Sequence, residues 1–386
     1  MTTIACDIRP LLEANWGGVS WYTYYLTREL IKEARRGTLR LLLFYSQFKK
    51  KPIALEPLFK LCRQTPNVTI KGYRLPNKLL NLSMHAFKFP WIDELLSPKI
   101  DYFILPNLSL IALSPYARRL AVCHDLSWEI FPEFFTLRQR LWHRLIRPRK
   151  FYQTAKKIIA VSQNTKQDLI DLYDIAPDKI TVIYPGIDTH RFRLIKDTVP
   201  VRIKYQLPPD FLLFVGTLEP RKNLETLIEA YDLLVQNRPQ VPPLVIVGPE
   251  GWKFDQIYRF WLRARSRDQI RFVNKMDAED LPVIYNLARI FIYPSFYEGF
   301  GFPPLESMAC GTPVIVGHGS SLPEIVADAG VLVDPYNIVD LALAIDRLLS
   351  DKQFYDKLKV MGLKRASEFT WEKMGKGVAK MLISND

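Results

Sequence analysis

The sequence predicts an α/β protein built from two doubly wound parallel-sheet domains facing a cleft. Three observations lead there. The chain has 386 residues, too many for one ordinary core and suited to two domains of roughly 100–200 residues each. Short apolar runs rich in β-branched residues alternate with longer stretches of helical periodicity. The alternation occurs twice in series, with a Pro-Gly turn and a proline-bearing polar stretch between the two runs.

In the first run the expected strands cover residues 3–8, 40–45, 69–73, 102–105, 120–123, 157–161 and 180–183, with helical patterns at 20–33 and 165–173. In the second, strands at 211–215, 243–247, 270–273, 290–293, 314–316 and 331–333 alternate with helices such as 223–236, 304–309 and 337–349. Apolar strands separated by helices fit parallel sheets covered on both faces. The boundary is expected near YPGIDTHRF, residues 184–192, giving domains 1–186 and 187–369, with a last helix of about 370–386 packing back on the first. Ligands of open α/β sheets sit beyond the carboxyl ends of the strands, so two such domains would face each other across a binding cleft.

A composition of 48% hydrophobic and 24% charged residues excludes a disordered or collagen-like chain. The longest apolar stretches fall far short of the ~20 residues that span a bilayer. Asp7 and Arg9 interrupt the first apolar run, which argues against a signal peptide. Cys6, Cys62, Cys123 and Cys310 have no metal-binding spacing and read as reduced, buried thiols of a cytoplasmic protein. The net charge of +13 is uneven: residues 1–186 hold 28 Lys+Arg and 15 Asp+Glu, whereas residues 187–386 hold 25 of each. Such asymmetry points to an anionic partner for the first half.

The most informative segment is YPSFYEGFGFPPLESMACGTPVI, residues 293–315. A strand runs into a turn holding Gly299 and Gly301, and Pro303 and Pro304 then open a helix. Glycines allow close approach of backbone to an anion, and a helix start offers unpaired N–H groups. Glu298 and Glu306 frame this turn, and such carboxylates can accept hydrogen bonds from sugar hydroxyls. The alternative is a plain βα turn whose Glu306 complements the helix dipole. Arg221 and Lys222 follow another strand and the turn from Gly216 to Pro220, where two cations can neutralise a pyrophosphate or be a solvated pair. Gly17 and Gly18 precede the first helix without completing a dinucleotide-binding glycine pattern. His124 and Asp125 end the strand at 120–123, where the histidine is either a packing residue or faces the cleft. Ser162 is either a contact to substrate or a helix N-cap.

With these residues the sequence resembles the retaining nucleotide-sugar glycosyltransferases of family 4, which have the GT-B architecture of two Rossmann-like domains. The family's pair of glutamates separated by seven residues corresponds to Glu298 and Glu306 around GFGFPPL. The resemblance continues in FVGTLEPRKN, VIYPGID, IAVSQNTKQDL, VCHDLSW and GGVSWYTYYL, which together cover nearly the whole chain in the family's order. It implies a hexosyltransferase whose first domain takes the acceptor and whose second binds the nucleotide sugar, with UDP-glucose the first candidate donor and GDP-mannose the second. It implies a catalytic set of Glu298, His124, Arg221 and Lys222. It further implies a donor site of Gly17, Gly18, Gly216, Arg221, Lys222, Glu298, Gly299, Phe300, Gly301, Phe302 and Glu306, with Asp125 and Ser162 as possible sugar or acceptor contacts. Arg221 and Lys222 would stabilise the leaving nucleotide, Glu298 would bond the sugar ring and Glu306 the ribose. The resemblance implies no cofactor beyond the donor substrate, and no cluster in the sequence reads as a required metal site.

The basic excess is concentrated in FTLRQRLWHRLIRPRKFY, residues 135–152, where Leu137, Leu141, Leu145 and Ile146 recur at helical spacing among six Arg and Lys. A second basic segment covers 74–90, with Lys78, Leu79, Leu80, Leu82, Phe87 and Lys88. Such helices lie on anionic membrane surfaces, capture a phosphate-bearing acceptor, or pack in a core behind a solvated basic face. The expected partners are therefore a nucleotide sugar, a carbohydrate or lipid-linked acceptor and an anionic membrane surface, in polysaccharide or glycolipid assembly at the cytoplasmic side of the membrane. No nucleic-acid motif is present, so no nucleic-acid partner is expected; the rival readings are a basic nucleic-acid-binding protein and a nucleotide-sugar epimerase on the same architecture.

Overall fold

Thirteen strands form among the described residues, each where an apolar β-rich run is found in the sequence. A computed structural model of the chain describes all residues except 14–15, 47–54, 74–82, 85–86, 98, 239 and 384–386. The chain divides into two compact units. The first comprises Met1–Leu126, Leu141–Gly186 and Trp371–Asp386, and the second Ser127–Arg140 and Ile187–Thr370.

The first unit is a seven-stranded parallel sheet of β1 (Thr2–Asp7), β2 (Leu39–Ser46), β3 (Val68–Tyr73), β4 (Tyr102–Leu105), β5 (Arg119–Cys123), β6 (Lys157–Ala160) and β7 (Ile180–Val182). Their order is β3-β2-β1-β4-β5-β6-β7, so the winding reverses between β1 and β4. The register Ile4↔Tyr102 and Thr2↔Leu39 places β1 in the centre, and Ile4, Ala5 and Cys6 are fully buried. The helix Gly18–Arg35 covers the sheet with Tyr22, Leu26 and Leu30, which recur at i, i+4 and i+8. The last helix, Trp371–Ile383, packs on this one: Trp371 stacks on Tyr25 at 4.4 Å between ring centroids. Its Gly375 lies so close to Glu29 that a Cβ there would stand 2.4 Å from the Glu29 Cβ.

The second unit holds β8 (Leu212–Val215), β9 (Leu244–Val247), β10 (Ile270–Val273), β11 (Ile290–Tyr293), β12 (Val314–Gly317) and β13 (Val331–Val333). All are parallel, in the order β10-β9-β8-β11-β12-β13, so winding reverses between β8 and β11. Strands β8, β9, β11 and β12 are buried along their whole length, as a sheet covered on both faces requires. Beyond β9, Gly248 has φ +149°, and a Cβ on it would lie 1.9 Å from the Gly216 carbonyl oxygen. Only glycine fits where the chain leaving β9 crosses the end of β8.

The structure corrects the sequence-based boundary at one point. Residues 127–140 belong to the second unit, although they precede residue 186. Aromatic packing holds them there: Phe134 stacks on Phe296 at 5.5 Å and Phe135 on Trp252 at 5.7 Å, while Trp252 Nε1 donates to the Phe134 carbonyl at 2.7 Å. Apolar periodicity identifies such residues as buried but carries no information on which sheet buries them.

The basic segment also differs from the single helix expected. It forms two helices, Leu137–Ile146 and Pro148–Gln153, broken at Arg147 with φ +55° and ψ +66°. Pro148 explains the break, since the ring clashes with an α-helical residue before it. Ile146 is the one buried side chain of the first helix, whereas Leu137, Leu141, Trp142 and Leu145 are 76%, 63%, 43% and 45% exposed. This removes the reading of a core helix with a basic outer face for Leu137–Ile146, whereas Pro148–Gln153 keeps it, burying Phe151 and Tyr152 behind exposed Arg149 and Lys150. In the other basic segment, Phe87 and Phe89 are exposed, while Lys78, Leu79, Leu80 and Leu82 lie outside the described residues. No helix among the described residues is long and apolar enough to cross a membrane.

Candidate active site

The second unit gathers its charged residues at the switch point between β8 and β11. Past β8, the short 3₁₀ turn Pro220–Lys222 ends at Asn223, whose backbone is left-handed at φ +59°. Asn tolerates that conformation, and its Nδ2 donates to the Pro294 carbonyl at 3.0 Å and the Pro335 carbonyl at 2.6 Å. The turn is thereby tied to the chain leaving β11. Lys222 Nζ donates to Glu298 Oε1 at 2.5 Å and to the Tyr293 hydroxyl at 2.6 Å. Arg221 bonds Glu219 Oε1 and the Tyr297 carbonyl, both at 2.6 Å, and stands 3.1 Å from Glu298 Oε2. Ser295 Oγ donates to Glu298 Oε1 at 2.6 Å.

This cluster is buried: Lys222 is 7% and Glu298 8% exposed. Burial alone would raise the Glu298 carboxyl, but Arg221 and Lys222 outweigh it and hold the group down at about 2. Burial lowers Lys222, and Arg221 beside it lowers it further, against the pull of Glu298 and Glu219. Burial likewise raises Glu219, opposed by Arg221. Arg221 and Lys222 are thus not solvated cations awaiting an anion. Two buried carboxylates balance them, an arrangement that the strand ends of β8 and β11 bring together across about 75 residues of sequence.

The loop that follows is anchored from both sides. Ser320 Oγ accepts from Glu298 N at 2.8 Å, and Ser321 Oγ donates to the Glu298 and Phe300 carbonyls at 2.9 and 2.8 Å. Gly299 is buried in this turn, and Gly301 takes φ +106° at the start of the helix Phe302–Ala309. No side chain caps that helix start, and Pro303 and Pro304 occupy its first turn. The Phe300 ring is buried, packed against Phe302 at 5.1 Å and Phe369 at 5.8 Å, which leaves its backbone as the part lying in the turn. Glu306, one turn along, accepts from the Tyr285 hydroxyl at 2.9 Å. Burial raises its carboxyl to about 7, against the hydroxyl bond and the more distant Arg191.

In the first unit, His124 follows β5. Its Nε2 lies 2.7 Å from the Pro106 carbonyl oxygen, just past β4 and beside the switch point of that sheet. A carbonyl can only accept, so Nε2 carries the proton and Nδ1 is left as an acceptor. Burial lowers the imidazole, which keeps it neutral, and the ring stands edge-on to Tyr22 at 5.0 Å. Asp125 is half-buried next to it. Gly17 caps the helix Gly18–Arg35, and a Cβ on it would meet nothing within 4 Å, so packing inside the unit does not demand glycine there. Ser162 is corrected to the capping alternative. It is fully buried, and its Oγ accepts from Thr165 N at 3.0 Å as N-cap of the helix Gln163–Tyr173.

Sequence reading missed Glu219, Tyr293, Ser295, Asn223 and the Ser320–Ser321 pair. Tyr293, Asn223 and the Ser320–Ser321 pair act through partners distant in sequence, and serine or tyrosine next to a strand end carries no periodic signal. Glu219 alone had one, as an acid two residues before Arg221.

Comparison with known proteins follows the same division of the chain. Residues 199–365 match the family model described as glycosyl transferases group 1, and residues 16–191 match glycosyltransferase family 4. The O-antigen chain mannosyltransferase B of Escherichia coli is 35% identical over 257 residues, 66% of this chain and 67% of that protein. The serotype-specific mannosyltransferase WbdA of Escherichia coli is 32% identical over 271 residues, 66% of this chain but 32% of that much longer protein. Among solved structures, sucrose-phosphate synthase from Thermosynechococcus elongatus superposes with a TM-score of 0.75 at 22% identity, covering 99% of this chain and 98% of that one. WaaG, a glycosyltransferase involved in lipopolysaccharide biosynthesis, superposes at 0.71 and 18% identity, covering 99% and 100%. These neighbours share the two-domain GT-B fold.

Proposed function

Because this chain belongs to glycosyltransferase family 4, we propose that it moves a hexose from a nucleotide diphosphate sugar to a hydroxyl acceptor with retained anomeric configuration, in polysaccharide or glycolipid assembly. The observation that carries the reading is the buried Arg221–Lys222–Glu298 cluster at the β8–β11 switch point, where open α/β sheets take ligands. The donor diphosphate would exchange with the carboxylates as partner of Arg221 and Lys222, and these cations would stabilise charge on the leaving nucleotide without a required metal. Freed from Lys222, Glu298 would accept bonds from sugar hydroxyls, and Glu306 from the ribose. Glu298 is held ionised by two cations and is a poor proton acceptor, which supports a reaction on one face of the donor with the leaving phosphate taking the acceptor's proton. The first unit would present the acceptor, with the free Nδ1 of His124 bonding a sugar hydroxyl and the loop at Gly17 and Gly18 closing over the donor.

The sequence alone ranked UDP-glucose first. The mannosyltransferase relatives favour a mannosyl donor, so GDP-mannose moves ahead of UDP-glucose. The exposed apolar and basic helix Leu137–Ile146 supports docking on an anionic membrane surface. A thermal-shift panel of nucleotide sugars, followed by an assay of nucleotide release that depends on added acceptor, tests the reading. One donor should stabilise the protein selectively. Release of free epimerised sugar nucleotide, or indifference to every nucleotide sugar, would overturn it.

A further inference from the structure

We propose that a cavity in the first unit, sharing no lining residue with the cluster described above, binds the phosphate or pyrophosphate head of an amphiphile with an apolar chain. The cavity measures about 520 Å³ and lies between the segment after β4 and the two helices of the basic segment. Lys88, Arg119, Arg147 and Lys150 all line it, and no Asp or Glu lines it among the described residues. Between the cations the wall is mainly apolar, with Leu110, Ile111, Leu113 and Phe151 beside the hydroxyls of Ser109, Ser114 and Thr154.

The electrostatics call for an anion. Arg119, at the amino end of β5, is half-buried, and loss of water lowers its pKa. One of its N–H groups donates to Thr154 Oγ1 at 3.3 Å, which leaves most of the guanidinium fork for another partner. The carboxylate acting on Arg119 is Asp93, but that side chain is buried and accepts from both Ser114 N at 2.8 Å and Ser114 Oγ at 2.6 Å. Arg147 enters the cavity from the left-handed position between the two helices, and Lys150 follows three residues later. Four cations around one cavity repel one another, and an anion of two or more charges relieves that repulsion while Arg binds it bidentately. An uncharged glycan needs no such set.

The apolar wall selects the rest of the ligand. Leu145 lines the cavity and also belongs to the exposed stripe of Leu137, Leu141 and Trp142. A chain leaving the head group would therefore run onto that stripe. The assignment of this amphiphile as the sugar acceptor rests on the glycosyltransferase reading above; its binding to the cavity does not.

The test uses farnesyl diphosphate as probe, with inorganic pyrophosphate and farnesol as head-only and chain-only controls, measured by titration calorimetry on the full chain in the absence of membranes. Farnesyl diphosphate should bind one to one and at least about tenfold more tightly than pyrophosphate. Arg147→Glu with Lys150→Glu, both exposed positions, should weaken it about tenfold or more, as should Arg119→Met. Stabilisation by the nucleotide sugar should stay unchanged in each variant, which reports an intact fold and donor site. Equal binding by wild type and variants, or no gain of farnesyl diphosphate over pyrophosphate, would overturn the cavity assignment while leaving the donor reading intact. If no nucleotide sugar binds but farnesyl diphosphate binds as expected, the cavity stands and its role as acceptor site falls.

Discussion

Glu298 and Lys222 illustrate why removing one member of a buried pair differs from removing both. Lys222→Ala would leave Glu298 with Arg221 at 3.1 Å as its remaining cation, and breaking a buried pair costs about 3–5 kcal/mol. Glu298→Gln in the same chain neutralises the orphaned charge. The double variant should therefore be more stable to denaturant than Lys222→Ala alone, with both inactive in transfer. Strictly additive losses would show that the pair is not coupled. Glu306 supplies a pH prediction. Its carboxyl, raised by burial to about 7, is ionised above that pH and protonated below it. If the ribose donates to the carboxylate, donor affinity should fall by about tenfold between about pH 8 and about pH 6, and Glu306→Gln should flatten the profile. A pH-independent donor Kd in the wild type would remove Glu306 from the ribose site.

At the scale of elements, local chemistry set boundaries more sharply than periodicity did. The helix Leu137–Ile146 begins at a reciprocal cap: Thr136 Oγ1 accepts from Gln139 N at 3.3 Å, while Gln139 Oε1 accepts from Thr136 N at 2.9 Å. It ends at Arg147 because Pro148 follows. Both signals stand in the sequence TLRQ and RPRK and were legible there. What was not legible is the outcome for its apolar face, since Leu137, Leu141 and Leu145 recur every four residues whether the face meets a core, a membrane or water. The same holds for Ser162, which suits a cap or a ligand equally until its burial and its bond to Thr165 N decide.

For the whole molecule, the +13 charge is a property of its first half, and the buried cluster around Glu298 explains none of it, since its two cations are matched by two carboxylates. The basic helix gives this excess a measurable consequence. Each basic residue near an anionic surface contributes about 1 kcal/mol, so Arg138→Gln with Arg144→Gln should weaken cosedimentation with anionic vesicles by about 30-fold. Stabilisation by the donor should not change. Absence of vesicle binding by the unaltered chain would refute membrane docking and leave the donor site untouched.

The sequence by itself determined the two parallel sheets, all thirteen strand positions, the fold class, the position of Arg221, Lys222 and Glu298 in the loops past strand ends and that of Glu306 in the helix that follows. These follow from periodicity, glycine and proline placement and short motifs, each confined to about a dozen neighbouring residues. Only tertiary structure decided that Arg221 and Lys222 are already paired, that Phe300 and Ser162 face inward, that residues 127–140 join the second unit, and that Lys88, Arg119, Arg147 and Lys150 share one cavity. Each of those outcomes depends on which distant surface a side chain meets, and a one-dimensional pattern of polarity holds no record of that choice.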